Sequence, residues 1–141
     1  MRLKLIISGI GLVIGTLLSA QTMVGLPKEE VAALVKTDHK QFRKDNSVVK
    51  QYFNYLKYVN GIKTRTWILY FNDQDICKTS KLVCDYSEFD EVVENLSESF
   101  EKVGDSHWEF TQDGETYQVH LTKQEWYFSV RETRKEKVKK K

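Results

Sequence analysis

Cysteine is scarce in this chain: Cys77 and Cys84 are the only two among 141 residues. Neither lies near the N-terminus, which disfavours a lipid-modified lipoprotein form, because that lipid needs a thiol on the new first residue. Histidine is equally sparse, with His39, His107 and His120 alone. Their spacing does not indicate a zinc or nucleophile site, which needs several groups in fixed geometry. His107 and His120 fall on strands that could be neighbours, and His39 falls in a connector. No apolar run beyond residue 18 is long enough to cross a bilayer. Asn72-Asp73-Gln74-Asp75 begins like a calcium loop, but Lys78 and Cys84 stand where that loop needs glycine and glutamate. Asn95-Leu96-Ser97 matches a glycosylation sequon, yet it falls inside a predicted helix with Leu96 on the buried side, so it reads as chance. No motif for catalysis, cofactor or metal stands out. The expectation is a protein that is not an enzyme and carries no cofactor.

What is present begins with the first twenty residues. Arg2 and Lys4 precede fourteen uncharged residues, Leu5 to Leu18, and Ser19-Ala20 supplies a small-residue exit. This is the layout of a secretory signal peptide cut near Ala20. The run is shorter than the roughly 20 residues of a spanning helix, and Gly9, Gly11 and Gly15 weaken it further as an anchor. The expected organisation is a signal peptide over 1–20, one domain over 21–133 and a basic tail over 134–141. The expected product is soluble, secreted or periplasmic, without a transmembrane anchor after cleavage.

Charge is balanced overall and uneven locally. The whole chain has 22 Lys and Arg against 20 Asp and Glu, and removal of Arg2 and Lys4 leaves the mature part neutral. Residues 22–71 hold nine basic and four acidic side chains, residues 72–115 hold three and thirteen, and residues 131–141 hold seven and two. Such blocks pair across a fold or meet other charged surfaces. The tail has one valine and no apolar face to insert into a lipid surface, so it reads as a solvated terminus. Nucleic acid is not an expected partner of an exported, neutral domain.

Export makes a Cys77–Cys84 disulfide a candidate. Two outcomes stay open. If Ile76 to Cys84 is one straight strand, seven steps of roughly 3.3 Å put the thiols about 23 Å apart and no bond forms. If Thr79-Ser80-Lys81 turns back, the thiols can meet. The alternative to a binding module is a small thiol-dependent enzyme or redox protein using these cysteines. The spacing is not Cys-x-x-Cys and no histidine is nearby in sequence, which weakens that alternative.

Pro27 suits a helix start, and Glu29 and Glu30 complement its positive end, so a helix is predicted to about Lys36. Val48 to Val59 and Thr64 to Phe71 read as strands around Asn60-Gly61, with Ile76 to Cys84 as a third. Ser87 with Asp90 reads as a capping-box variant. Phe89, Val92, Val93, Leu96 and Phe100 then form a helical stripe, ended by Gly104. Trp108–Thr111, Tyr117–Thr122 and Trp126–Arg131 read as further strands, with Asp113-Gly114 as a turn. The fold expected is α+β, two amphipathic helices packed on an antiparallel sheet, and the outline admits a repeated α-β-β-β unit. Residue identity between the halves is too low to argue duplication.

Trp67, Trp108 and Trp126 are expected in the core. Tyr55, Tyr70 and Tyr127 are candidates for an exposed aromatic binding face, since half of the strand aromatics must face away from the core. The segment from Asp75 to Leu96, Asp-Ile-Cys-Lys-Thr-Ser-Lys-Leu-Val-Cys-Asp-Tyr-Ser-Glu-Phe-Asp-Glu-Val-Val-Glu-Asn-Leu, resembles uncharacterised secreted proteins of Bacteroidetes-type bacteria, as does Glu125 to Val130. That resemblance implies a compartment and no activity. Gly25-Leu26-Pro27-Lys28-Glu29-Glu30-Val31 resembles the opening helix of outer-membrane assembly lipoproteins and β-lactamase-inhibitor-like modules, which are helix-then-hairpin folds that bind proteins. The lipobox cysteine of the former is missing. The function expected is an exported binding or envelope-associated module. Its partner would be an envelope or extracellular protein, a peptide or a glycan.

Overall fold

A computed structural model describes residues 22–46, 53–61 and 64–136. The predicted signal peptide, the first part of the predicted Val48–Val59 strand and the end of the basic tail lie outside the described residues. Helix α1, Lys28–Asp38, starts directly after Pro27, whose φ of −64° is already that of a helix. Strands β1 (Arg43–Lys44), β2 (Tyr55–Asn60), β3 (Arg65–Phe71) and β4 (Cys77–Cys84) follow. A short 3-10 turn at Tyr86–Glu88 leads into helix α2, Phe89–Ser99. Strands β5 (Glu101–Gly104), β6 (His107–Gln112), β7 (Glu115–Lys123) and β8 (Phe128–Arg134) complete the described fold.

All eight strands form one antiparallel sheet in the order β1-β2-β3-β4-β8-β7-β6-β5. Each half of the chain lays down a meander, and the last strands of the two meanders meet at the centre. This overturns the expected arrangement of two helices packed on a sheet with a repeated α-β-β-β unit. The fold is dominated by its sheet, the helices are short, and each helix is followed by four strands. The extra strands are β1 and β5, the two edges of the sheet. Both are fully exposed and mostly charged, so neither carries the alternation by which a half-buried strand is recognised. Short, charged edges also resist pairing with another chain. Glu101–Gly104 therefore begins a strand where the helix was predicted to continue, and Gly104 does not cap it.

The start of α2 also differs from expectation. Ser87 does not cap it: Asp85 caps the preceding 3-10 turn, accepting from the Ser87 amide at 2.9 Å, and α2 itself starts after Glu88 without a side-chain cap. The exposed Asp85 carboxyl is held below the usual range chiefly by its bond from the Ser87 amide. The predicted Asp113-Gly114 turn is present, with positive φ at both residues (53° and 80°), the conformation that closes a two-residue hairpin.

One sheet face carries the core. Leu56, Trp67, Leu69, Leu82, Trp108, Val119, Phe128 and Val130 are buried there in one cluster. Val31 and Val35 of α1 and Val92 and Leu96 of α2 join the same cluster. Phe89 meets Phe128 edge-on with ring centroids 5.1 Å apart, a favoured arrangement of aromatic pairs. His39 is not the surface residue its connector position predicts. It is buried, with its ring 5.0 Å from that of Trp67, and burial lowers its proton affinity. A β-bulge sits where Tyr70 pairs with Thr79 but Phe71 pairs with Cys77. The extra residue, Lys78, shifts the alternation by one, so Cys77 and Ser80 both point inward although three positions apart.

Candidate functional site

Opposite the core, the same strands present a second face of alternate residues. Lys57, Ile68, Lys81, Arg131, His120 and His107 are successive register partners across β2, β3, β4, β8, β7 and β6. All six are half-buried or exposed. Ser129 and Thr122, again register partners, form the next row toward the β7–β8 turn. Around them lies a concavity of about 450 Å³ lined by Lys81, His120, Thr122, Gln124, Ser129 and Arg131.

The lining carries no carboxylate, and among the described residues none pairs with Lys81 or Arg131. Two other cations of this face are paired. Lys57 pairs with Asp45 at 3.4 Å, and Lys135 pairs with Glu109 at 3.0 Å. His107 and His120, which sequence position brought only as far as neighbouring strands, stack with ring centroids 4.0 Å apart. Partial burial, then the charges of His107 and Arg131, lower the proton affinity of His120, with Glu109 opposing. An arginine fork, a lysine ammonium, an imidazole, two hydroxyls and an amide thus converge on one space. Such a set binds oxyanions, and arginine offers two parallel donors to them.

The three tyrosines singled out from sequence are not brought together. Tyr55 and Tyr70 are direct register partners on the open side, half-buried, with ring centroids 6.4 Å apart. Tyr127 lies just before Phe128, at the opposite end of β8 from Thr133, which shares the Tyr70 end of the sheet through Thr79. It belongs instead with the β7–β8 turn, where Trp126 is 79% exposed. That exposure overturns the expected burial of Trp126, whereas Trp67 and Trp108 are buried. The turn is held by the Gln124 amide donating to the Tyr127 carbonyl at 2.8 Å and by the Tyr86 hydroxyl donating to the Gln124 carbonyl.

Cys77 and Cys84 are unbonded and form the two ends of strand β4. The strand does not turn back at Thr79–Lys81, so the extended outcome holds, and seven steps of roughly 3.3 Å, only slightly shortened by the bulge, exclude a bridge between them. Burial pushes both thiols up to about 12, the opposite of what a thiolate nucleophile requires. In native protein both thiols are expected to react with DTNB at pH 8 about a thousandfold more slowly than in urea. Rapid stoichiometric titration of either thiol, or an intrachain disulfide found by mass spectrometry, would contradict this placement.

The Asn72–Asp75 segment is a plain turn: the Asn72 side-chain oxygen accepts from the amides of Gln74 and Ile76. Among the described residues no cluster of three or more His, Cys, Asp or Glu side chains is arranged to hold a metal, and no helix there is long and apolar enough to cross a membrane. No protein-family model, curated protein or solved structure matches the chain.

Lys81 and Arg131 carried no signal as a pair in sequence, being fifty positions apart. The alternation of β4 and β8 puts each on an outward phase. Only the pairing of the two final strands sets them side by side.

Proposed function

We propose that the chain is an exported, non-enzymatic binding module that engages its ligand or envelope partner through the open face of its sheet. The observation that carries this reading is the outward row on β4, β8 and β7, where Lys81 and Arg131, without a carboxylate partner among the described residues, border a concavity while the reverse face holds the core. The leader of Arg2 to Ala20 supports export. The buried, weakly acidic thiols leave the cysteine-dependent alternative without a usable nucleophile.

Glycan and peptide arrays probed with the wild type and two face variants test the reading. Tyr55→Ala/Tyr70→Ala removes the paired rings, and Lys81→Glu inverts one central charge. Signals on at least one class of array should fall by about tenfold or more in Lys81→Glu, with the melting temperature kept within a few degrees. Array profiles identical in all three proteins would overturn the assignment of this face.

A further inference from the structure

The shape and charge of the concavity narrow what it holds, on the reading that the open face is the binding surface. Six side chains line it and none is acidic. Arg131 and Lys81 face each other as register partners at the centre of the sheet, and His120 is the partner of Arg131 on the other side. The hydroxyls of Ser129 and Thr122 lie one row along, and Gln124 adds an amide at the mouth. A carboxylate has two oxygens and one charge, so a single arginine fork nearly satisfies it. Here two full cations, an imidazole and two hydroxyls converge, which exceeds that demand. A phosphate ester has three terminal oxygens and carries −1.5 to −2 charges near neutral pH, and it matches both the donor number and the charge.

We infer that the concavity bounded by Lys81, Arg131, His120, Ser129 and Thr122 is a binding site for a phosphate monoester group. Arg131 supplies the two-pronged contact and Lys81 the second charge. His120 donates from a ring whose orientation is fixed by its stack on His107. The hydroxyls of Ser129 and Thr122 take the oxygen nearest the β7–β8 turn. The group can belong to a soluble phosphate ester or to a phospholipid headgroup, since the recognition chemistry is the same.

The test is titration of the protein with inorganic phosphate, methyl phosphate and acetate at low ionic strength, followed by the imidazole NMR signals of His120 and His107. Sedimentation with phosphatidic acid vesicles against phosphatidylcholine vesicles runs in parallel. Phosphate and methyl phosphate are expected to give saturable shifts centred on His120, with acetate at least about tenfold weaker. Arg131→Ala and Lys81→Ala should each weaken phosphate binding by about tenfold or more, with Arg131→Lys recovering part of the loss. Lys57→Ala, on the same face but paired with Asp45, should leave it unchanged. Preference for methyl phosphate over the vesicles assigns a soluble source, and selective sedimentation with phosphatidic acid assigns a headgroup. Both outcomes support the site. Absence of saturable phosphate binding, equal binding of acetate, or affinity unaltered in Arg131→Ala overturns it. If the arrays show a partner lost in Lys81→Glu while phosphate fails to bind, the phosphate assignment falls and the binding-face reading stands. If the face variants change nothing on the arrays, that reading falls by itself.

Discussion

Glu88→Ala is expected to cost about 3–5 kcal/mol of stability, the range found when one partner of a buried ion pair is removed. Arg65 opens β3 and Glu88 closes the 3-10 turn before α2, and their charged groups meet with both residues buried. Thr64 adds a hydroxyl contact to the same carboxylate. The pair ties the first meander to the start of the second half of the chain. Removing the carboxylate leaves the Arg65 guanidinium desolvated without a partner, and that penalty outweighs the direct attraction lost. The double variant Arg65→Met/Glu88→Leu should recover most of the loss, because an apolar pair of similar volume carries no desolvation cost. Urea unfolding of the two single variants and the double variant measures this. A cost under about 1 kcal/mol for Glu88→Ala, the range of an exposed pair, would show that the contact is not desolvated as described.

Glu132→Gln is expected to stabilise the protein by about 3 kcal/mol at pH 8 and to leave it nearly unchanged at pH 4. Glu132 is fully inside the inner face of β8, and its carboxyl is pushed up to about 7 by burial, against a hydrogen bond from Thr22 that favours ionisation. Below its unfolded value near 4.5 the group is protonated in both states and contributes no pH dependence. Between about 4.5 and 7 the unfolded chain ionises while the folded chain holds its proton, so stability falls as pH rises. Above about 7 both states are ionised and the loss is complete. Glutamine keeps an oxygen for Thr22 and cannot ionise, so its stability curve should lack this slope. Urea midpoints at pH 4, 6 and 8 compare the two proteins, and parallel curves would remove the assigned role of Glu132.

Glu132 shows how far alternation can be read. Phe128 and Val130 mark the inward phase of β8, and the next position in that phase is Glu132. The strand expected from sequence stops at Arg131, one residue short of Glu132, so the inward phase was not carried that far. Only the packing of Thr22 against it shows what accompanies it there. Trp126 illustrates the reverse. Its size and its place beside a strand suggest the core, but the strand starts at Phe128, and a residue at a turn tip has no sheet face to bury. Cys77 and Cys84 needed one geometric fact, that β4 runs on without turning back, and the polar centre of that strand hid it. The polar face of the sheet disguised the segment as a turn.

Local residues determined several elements of this protein alone. Pro27 with Glu29 and Glu30 started α1, Asp113-Gly114 turned β6 into β7, and the apolar stripe from Phe89 to Leu96 made α2. These are short-range matters of backbone preference and capping, decided within a few residues. The tertiary structure decided the rest: charged edge strands that carry no apolar signal, a buried Arg65–Glu88 pair, and a central seam that sets Lys81 beside Arg131. The physical reason is range. Pairing of the two last strands joins residues fifty positions apart, and it is stabilised by a core spread over both halves of the chain. No local pattern encodes which outward-facing cations that pairing brings together.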